Sequence, residues 1–434
     1  MSAFTFPVEV AEDCPFGIHN IPFGIYSIPG QARRAATVVG KWIIDLNTLV
    51  QNDVFTHADH ADSLEGVFLQ PVLNDFASLP LAVRQYVRLT IIENLNNAES
   101  PFYTNVKVQS QAFVPLEQAE MHMPMRLTDY TDFYSSIVHA DTAGKGMNFP
   151  IPPAFWEYPM AYNGRVSSVR VSGTEVIRPK GFFLVTPSDS HVQLQPSREL
   201  DFEMEMGCFI SHPVQAGEIV SAKEAQKHVF GYVLLNDWSA RDIQKYEMNP
   251  FGPFHSKSFL TSISPWVVTP EALEGSLVQP VASNASVISS HLQNDPNNHA
   301  GYDIEFSVSL SRKGSDPVQI VRSYLKDSYW DSLQMIAYQS SSGCGLHTGD
   351  LLGSGTNSSA TPVSRDPSSP VGCGCLLEAV AANIGLPKVA NESVRWLEDG
   401  DLVTMEGWFT TPDGKKGGFG PLTGLVVPEK LSGE

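Results

Sequence analysis

Short apolar runs punctuated by turn residues dominate the chain, and most of those runs have a period of two. Arg34 to Leu46 (RAATVVGKWIIDL) reads as a hairpin, two apolar arms around Gly40-Lys41. Gly181 to Thr186 (GFFLVT) and Glu199 to Ile210 (ELDFEMEMGCFI) read as strands. In the second, Leu200, Phe202, Met204, Met206 and Cys208 alternate with Asp201, Glu203, Glu205 and Gly207. Val229 to Leu235 reads as a buried strand, and Ile304 to Leu310 alternates again through Ile304, Phe306, Val308 and Leu310. Helical spacing marks Leu81 to Asn94, Ser221 to Phe230 with its Ser221–Glu224 capping box, and Ser328 to Ser341, which stops at Gly343. Val114 to Pro124 reads as a connector, and the polar stretch Pro270 to Ala300 as a surface excursion. The 33 Gly and 31 Pro are scattered singly, as turns between short strands require, and no solenoid repeat is present. The expected class is mainly β (α+β); a doubly wound α/β fold is disfavoured.

Composition narrows the function. The 434 residues, 42% hydrophobic and 17% charged, suit two or three packed domains rather than a disordered chain. With 28 Lys+Arg against 47 Asp+Glu the net charge is −19, which argues against nucleic acid or an anionic membrane surface as partner. Five cysteines make no disulfide framework, and the Cys373/Cys375 pair has poor zinc spacing. Met1 to Cys14 lacks a basic or apolar leader, and no run approaches the length of a membrane span. The N-x-S triplets at Asn284, Asn357 and Asn391 are then chance matches, and a cytoplasmic location is expected.

A few residues carry candidate chemistry. Glu203 and Glu205 lie i and i+2 on a strand, about 6–7 Å apart at the Cα, and can converge on one cation. The plainer alternative is a solvated strand face. Asp237 ends a buried strand with Arg241 four residues on; the alternative is a capping Asp237 in a local ion pair with Arg241. His139 follows Asp132-Phe133-Tyr134-Ser135-Ser136 on what reads as a loop, where an ordinary surface histidine is the alternative. Lys257 sits among aromatic and small residues and, if buried, needs an anion beside it. Glu378 ends another apolar run.

Taken together these segments resemble the fumarylacetoacetate hydrolases. The resemblance rests on Asp129 to Ser136, Tyr162-Asn163-Gly164-Arg165, Asp201 to Met206, Asn236 to Gln244, Gly252-Pro253-Phe254 through Lys257-Ser258-Phe259, Ser264-Pro265-Trp266, and Gly349-Asp350-Leu351-Leu352 with Ser354-Gly355-Thr356. They occur in the family's order across about residues 5 to 425. The implied fold is an N-terminal SH3-like β-barrel, residues 1–118, followed by a mixed β-roll catalytic domain, residues 119–434. Asp132, Glu203, Glu205 and Asp237 would hold Ca²⁺ or Mg²⁺, to which carboxylate oxygen is suited. A second Mg²⁺ or a monovalent cation would lie near Lys257 and Thr261, although Leu260 stands where glycine is common.

By the same resemblance, His139 would be the general base, oriented by Glu378, with Arg241, Gln244 and Lys257 stabilising the oxyanion. Tyr134, Tyr162 and Thr356 would contact substrate, with Gly355 allowing close backbone approach. The implied reaction is hydrolysis of the carbon–carbon bond of a β-diketo acid, 4-fumarylacetoacetate, to fumarate and acetoacetate, ending tyrosine and phenylalanine breakdown, by a homodimer. The alternatives are a relative acting on another acylpyruvate or β-diketone, and a metal-binding paralogue without catalysis. Two departures motivate the first: the segment Ala140 to Asn148 lacks the family's arginine and has only Lys145 as a cation, and the usual Tyr-His-Gly-Arg is Tyr162-Asn163-Gly164-Arg165. A Ser- and Pro-rich insertion also separates Thr356 from Glu378.

Overall fold

A computed structural model describes residues 4–147, 150–186, 188–281, 289–295, 300–360 and 368–430. Asn148, Asn284 and residues 361–367 of the Ser- and Pro-rich insertion lie outside the described residues.

The chain begins with a curled antiparallel sheet of five strands in the order Phe113–Pro115, Trp42–Asp45, Arg34–Val39, Phe23–Ser27, Glu120–His122. The hairpin turns at Gly40-Lys41 as its pattern requires, with Gly40 at φ +56°. The stretch expected to be a connector, Val114 to Pro124, instead supplies parts of both edge strands, which pair with Trp42–Asp45 and Phe23–Ser27. Three residues are too few to alternate, so periodicity could not mark them. Leu81–Leu95 is a helix, one residue longer than its apolar spacing suggested.

A mixed seven-stranded sheet carries the site. Its order is Ala161–Asn163, Tyr130–Phe133, Leu351–Gly353, Met204–Ile210, Val229–Asp237, Thr261–Ile263, Val169–Val171. Met204, Met206, Cys208 and Ile210 point to one face and pack with Phe306, Val308 and Leu310 of a six-stranded sheet built around Glu305–Arg312 and Asp401–Thr410. On the other face Phe209, Val233 and Leu235 pack against Val87 and Ile91 of the N-terminal helix. The central sheet is therefore sandwiched, which is why its strands are buried on both faces.

Two local readings change. Ser221 sits at the N-cap but forms no capping box, its hydroxyl donating to Glu224 Oε2 instead, and the helix Ala222–Ala225 passes into a 3-10 turn, Gln226–His228. The Ser328–Ser341 helix starts later, at Ser332, where Asp331 and Gln334 form a capping box; Gly343 stops it at φ +74°. No described helix is long and apolar enough to cross a membrane.

Candidate active site and metal centre

The acidic residues continue a sheet face that is apolar further along the same strands. Side chains two apart share a side, so Asp132 follows Tyr130, Glu205 precedes Phe209, and Asp237 follows Val233 and Leu235. Tyr130, Phe209, Val233 and Leu235 belong to the core shared with the N-terminal helix. Beyond that core the same face carries carboxylates, and they are buried rather than solvated. The Glu199–Ile210 strand is interrupted after Asp201, where Glu203 bridges to Cys375.

Asp132, Glu203, Glu205 and Asp237 each bring a carboxylate oxygen within 4.8 Å of all the others. Oxygens bound to one Ca²⁺ at about 2.3–2.6 Å lie no more than about 5 Å apart, so the donor set fits a hard divalent cation. Two oxygens, Asp132 Oδ1 and Glu205 Oε1, are buried without a hydrogen-bond partner. Burial and then the neighbouring acids push both carboxyls well above their usual range. Glu203 is the opposite case: Lys257 and Arg241 together outweigh burial and pull it down. Gly353 lies under the cluster, where a Cβ would come within 3.0 Å of Asp132 Oδ1 and 3.1 Å of Glu205 Oε2.

Cations and hydroxyls rim this cluster. Lys257 Nζ lies 2.6 Å from Asp237 Oδ2 and 2.8 Å from Glu203 Oε1. It is buried, and those anions outweigh burial to raise its pKa. Tyr162 donates to Asp237 Oδ2 at 2.7 Å and Thr261 to Asp237 Oδ1 at 3.1 Å. Leu260 is buried in the main core. Arg241 pairs with Glu203 at 2.7 Å and Asp201 at 2.8 Å, not with Asp237, so the local-pair alternative fails: Asp237 is taken by Lys257. Arg241 Nη1 also donates to Gln244 at 3.0 Å, leaving Nη2 buried and unpartnered.

His139 lies on the helix Ile137–Met147, not on a loop. Glycines at 144 and 146 obscure helical spacing in the sequence. Its Nδ1 meets Glu378 Oε1 at 2.7 Å, and both residues are buried. Glu378 Oε1 also accepts from Ser358 Oγ at 2.6 Å and from the Cys375 thiol at 3.5 Å. The Tyr134 ring stands edge-on to His139 at 5.4 Å. Gly355 adopts φ +72°, and a Cβ there would strike the Phe133 carbonyl at 2.2 Å; its N–H donates to Glu205 Oε2 at 3.1 Å. Thr356 Oγ1 is buried without a partner. Lys145 is 73% exposed and pairs with Asp141 at 2.5 Å.

A cavity of about 420 Å³ joins these groups: Asp132, Glu203, Tyr162, Lys257, Arg241, Gln244, His139, Tyr134, Gly355 and Thr356 all line it. The remaining lining is largely apolar, with Ala140, Pro150, Pro152, Met160, Phe251 and Leu377. Sequence reasoning missed the supporting partners Asp201, Ser358, Cys375 and Ser239, the last donating to Glu203 at 3.1 Å. Asp201 and Ser239 were visible only as members of the resembling segments, with no role attached, and Ser358 carried no signal for this site.

Comparison with known proteins is consistent with this geometry. Residues 19–124 match the family model for the fumarylacetoacetase N-terminal domain, and residues 130–427 that for the fumarylacetoacetate hydrolase C-terminal domain. The fumarylacetoacetase of Bos taurus is 38% identical over 97% of this chain and 98% of its own length. Those of Dictyostelium discoideum, at 37% over 99% of both chains, and Homo sapiens, at 36% over 98% of this chain and 99% of its own, are similarly close. The crystal structure of an HpcE-type protein from Mycobacterium smegmatis superposes with a TM-score of 0.53 at 17% identity, over 94% of this chain and 99% of that one, which supports the fold.

Proposed function

The chain belongs to the fumarylacetoacetate hydrolase family, and from that premise we propose that it hydrolyses 4-fumarylacetoacetate to fumarate and acetoacetate. The observation that carries this is one cavity lined by the histidine of a His–carboxylate pair, by a buried guanidinium with a free N–H, and by Asp132 and Glu203 of a four-carboxylate cluster.

A carbon–carbon bond breaks only if the departing carbon can carry an electron pair, and a 1,3-dicarbonyl supplies this as an enolate. A divalent cation held by Asp132, Glu203, Glu205 and Asp237 would supply Lewis acidity favouring that enolate. His139 commits Nδ1–H to Glu378, so Nε2 is the nitrogen free to take a proton from water. The hydroxide equivalent adds to the fumaryl carbonyl, the bond to the acetoacetate carbon breaks, and that carbon is reprotonated. Arg241 through Nη2, with Gln244 and Lys257, faces the oxyanion in a site where donors need no reorganisation. Thr356, Tyr134 and Tyr162 contact the substrate, and Gly355 lets the backbone approach it.

Several finer readings rest on the family resemblance. The cation is Ca²⁺ or Mg²⁺, and a second Mg²⁺ or a monovalent cation sits near Lys257 and Thr261. The chain divides into an SH3-like β-barrel, residues 1–118, and a β-roll catalytic domain, residues 119–434, although the edge strand Glu120–His122 pairs into the N-terminal sheet and carries that boundary past residue 122; the curled five-stranded sheet supports a partly open barrel. The enzyme is a cytoplasmic homodimer of tyrosine and phenylalanine breakdown, and exposed Phe182, Leu184 and Leu194 on the Lys180–Phe183/Gln193–Pro196 hairpin offer a surface for a second copy.

The test is turnover of fumarylacetoacetate by the purified protein, beside acylpyruvates lacking the distal carboxylate, with and without chelator. Cation-dependent release of fumarate is expected. A clear preference for the shorter acylpyruvates would replace this reading with that of a β-diketone hydrolase of altered acyl specificity, for which the Arg-less segment 140–148 is the motive.

A further inference from the structure

We propose that Asp201 is a positioning residue that ties the two halves of the catalytic apparatus together, setting the Arg241 guanidinium and the Glu378 helix from one carboxylate. Asp201 is fully buried on the two-residue strand Leu200–Asp201, which pairs with Ser239–Ala240 immediately before Arg241. Its Oδ2 accepts from Arg241 Nε at 2.8 Å and from Leu377 N at 3.0 Å. Its Oδ1 accepts from Leu376 N at 2.7 Å and from Phe202 N at 2.8 Å. A carboxylate has about four acceptor positions, and all of them are used here.

Both attachments reach the chemistry. Leu376 and Leu377 open the helix Leu376–Ala381, whose third residue is Glu378; its own N-cap, Cys375, makes no side-chain cap. The first N–H groups of a helix lack intrahelical acceptors, and Asp201 supplies them from another part of the chain. The helix end, and with it the carboxylate that holds His139 Nδ1, is thereby fixed. At the same time the bond to Nε fixes the guanidinium plane. With Nη1 on Glu203 and Gln244, the one donor group left for the cavity is Nη2. Asparagine at this position would place an NH₂ group against N–H donors on one side, disturbing both attachments. Serine, whose oxygen stands one bond short of the carboxylate oxygens, would release the guanidinium and the helix N–H groups together.

This inference presupposes the hydrolytic reading of the site, and the test separates the two. Asp201→Asn is made in the unaltered chain and in Glu378→Gln, Arg241→Lys and doubly substituted backgrounds, and kcat and KM are measured in each. In the unaltered chain a fall in kcat of about 10²–10³-fold is expected, the scale of a lost oxyanion donor. The loss should shrink in either single background and fall below about threefold in the double one, because effects transmitted through shared partners are not additive. A general loss of structure would cost the same factor in every background and would overturn the proposal. If Asp201→Asn does not fold, Asp201→Ser serves in its place, with its loss expected to shrink in either single background and nearly vanish in the double one, as for asparagine. Independently of turnover, hydrogen exchange at Leu376 and Leu377 should quicken at least about tenfold in Asp201→Asn and not in Arg241→Lys. An inactive parent protein that still shows this exchange response would sink the hydrolytic reading and leave the tie standing; unchanged exchange would refute the tie.

Discussion

Two groups of buried acids serve the same cavity, one through His139 and the other through Asp132 and Glu203, and are built on different terms. Glu378 is alone among donors: one of its oxygens accepts from His139, Ser358 and Cys375. The other group gathers Asp132, Glu203, Glu205 and Asp237, with Lys257 and Arg241 as nearby cations, and still leaves oxygens of Asp132 and Glu205 without partners. Burying an unpaired charge costs several kcal/mol, so the second group is relieved either by the protons that Asp132 and Glu205 hold or by something positive between its members. The first leaves one oxygen without a partner too, Glu378 Oε2, but it is a single acid with three donors on its other oxygen and no second carboxylate gathered against it. One pole is a lone acid held by its donors; the other is a crowd of acids whose oxygens are placed to share a cation.

The sharpest way to break this contrast is to remove one pole and watch the other. His139→Ala should lower kcat by about 10²–10⁴-fold, the usual worth of a general base. Cation affinity by calorimetry should stay within about threefold, because His139 contributes no atom to the carboxylate cluster. A large parallel loss of affinity would show that the poles are not separate. Glu205→Gln should do the converse, weakening cation binding at least about tenfold. It should also raise the melting temperature of the chelated protein, since it deletes a charge that burial and its neighbours disfavour.

Chelation exposes the same contrast through pH. Asp132 and Glu205 have carboxyl pKa values in the folded protein above their ordinary 3.8 and 4.5, owing to burial first and then to neighbouring acids, chiefly Asp237 for Asp132 and Asp132 for Glu205. A raised folded pKa means the folded state holds its proton longer, so the stabilisation is complete below the ordinary values and is lost as pH rises through the folded ones. The chelated protein should therefore lose melting temperature as pH rises above about 4.5 toward neutrality. Glu203, whose pKa is lowered, works the other way, losing its contribution as pH falls below its ordinary 4.5. Saturating cation should flatten the rise-with-acid trend, and an identical profile with and without cation would contradict the proposed ligand set.

How much of this was legible depended on what kind of signal each residue leaves. Glu203 and Glu205 were visible because a strand of period two puts them on one side, and Lys257 because a cation among aromatics demands an anion. Bringing Asp132, Asp237 and Glu378 beside them needed the collinear family resemblance, since pairings such as Gly353 with Asp132 link distant segments and follow from no local rule. The helix under His139 was hidden by its glycines, and the edge strands at 113–115 and 120–122 by their brevity. Asp201 and Ser358 were illegible for a different reason: their partners are backbone N–H groups and a carboxylate that only the fold brings near.

The smallest effects test where each pole ends. Thr356 Oγ1 is buried, unpartnered and in the cavity wall. Thr356→Val should therefore cost kcat/KM about 2–10-fold, the worth of one hydrogen bond, with no loss of melting temperature. Lys145 marks the limit of the His139 pole, six residues further along the same helix but 73% exposed and paired with Asp141 four residues back. Exposed pairs at that spacing contribute about 0.3–0.5 kcal/mol, so Lys145→Ala should change stability barely and kcat/KM by less than about twofold. A substrate with a distal carboxylate and one without it should respond alike. If instead only the carboxylate-bearing substrate lost affinity, Lys145 would be leaving Asp141 to grip it. The His139 pole would then be completed by its substrate, as the other is by its cation.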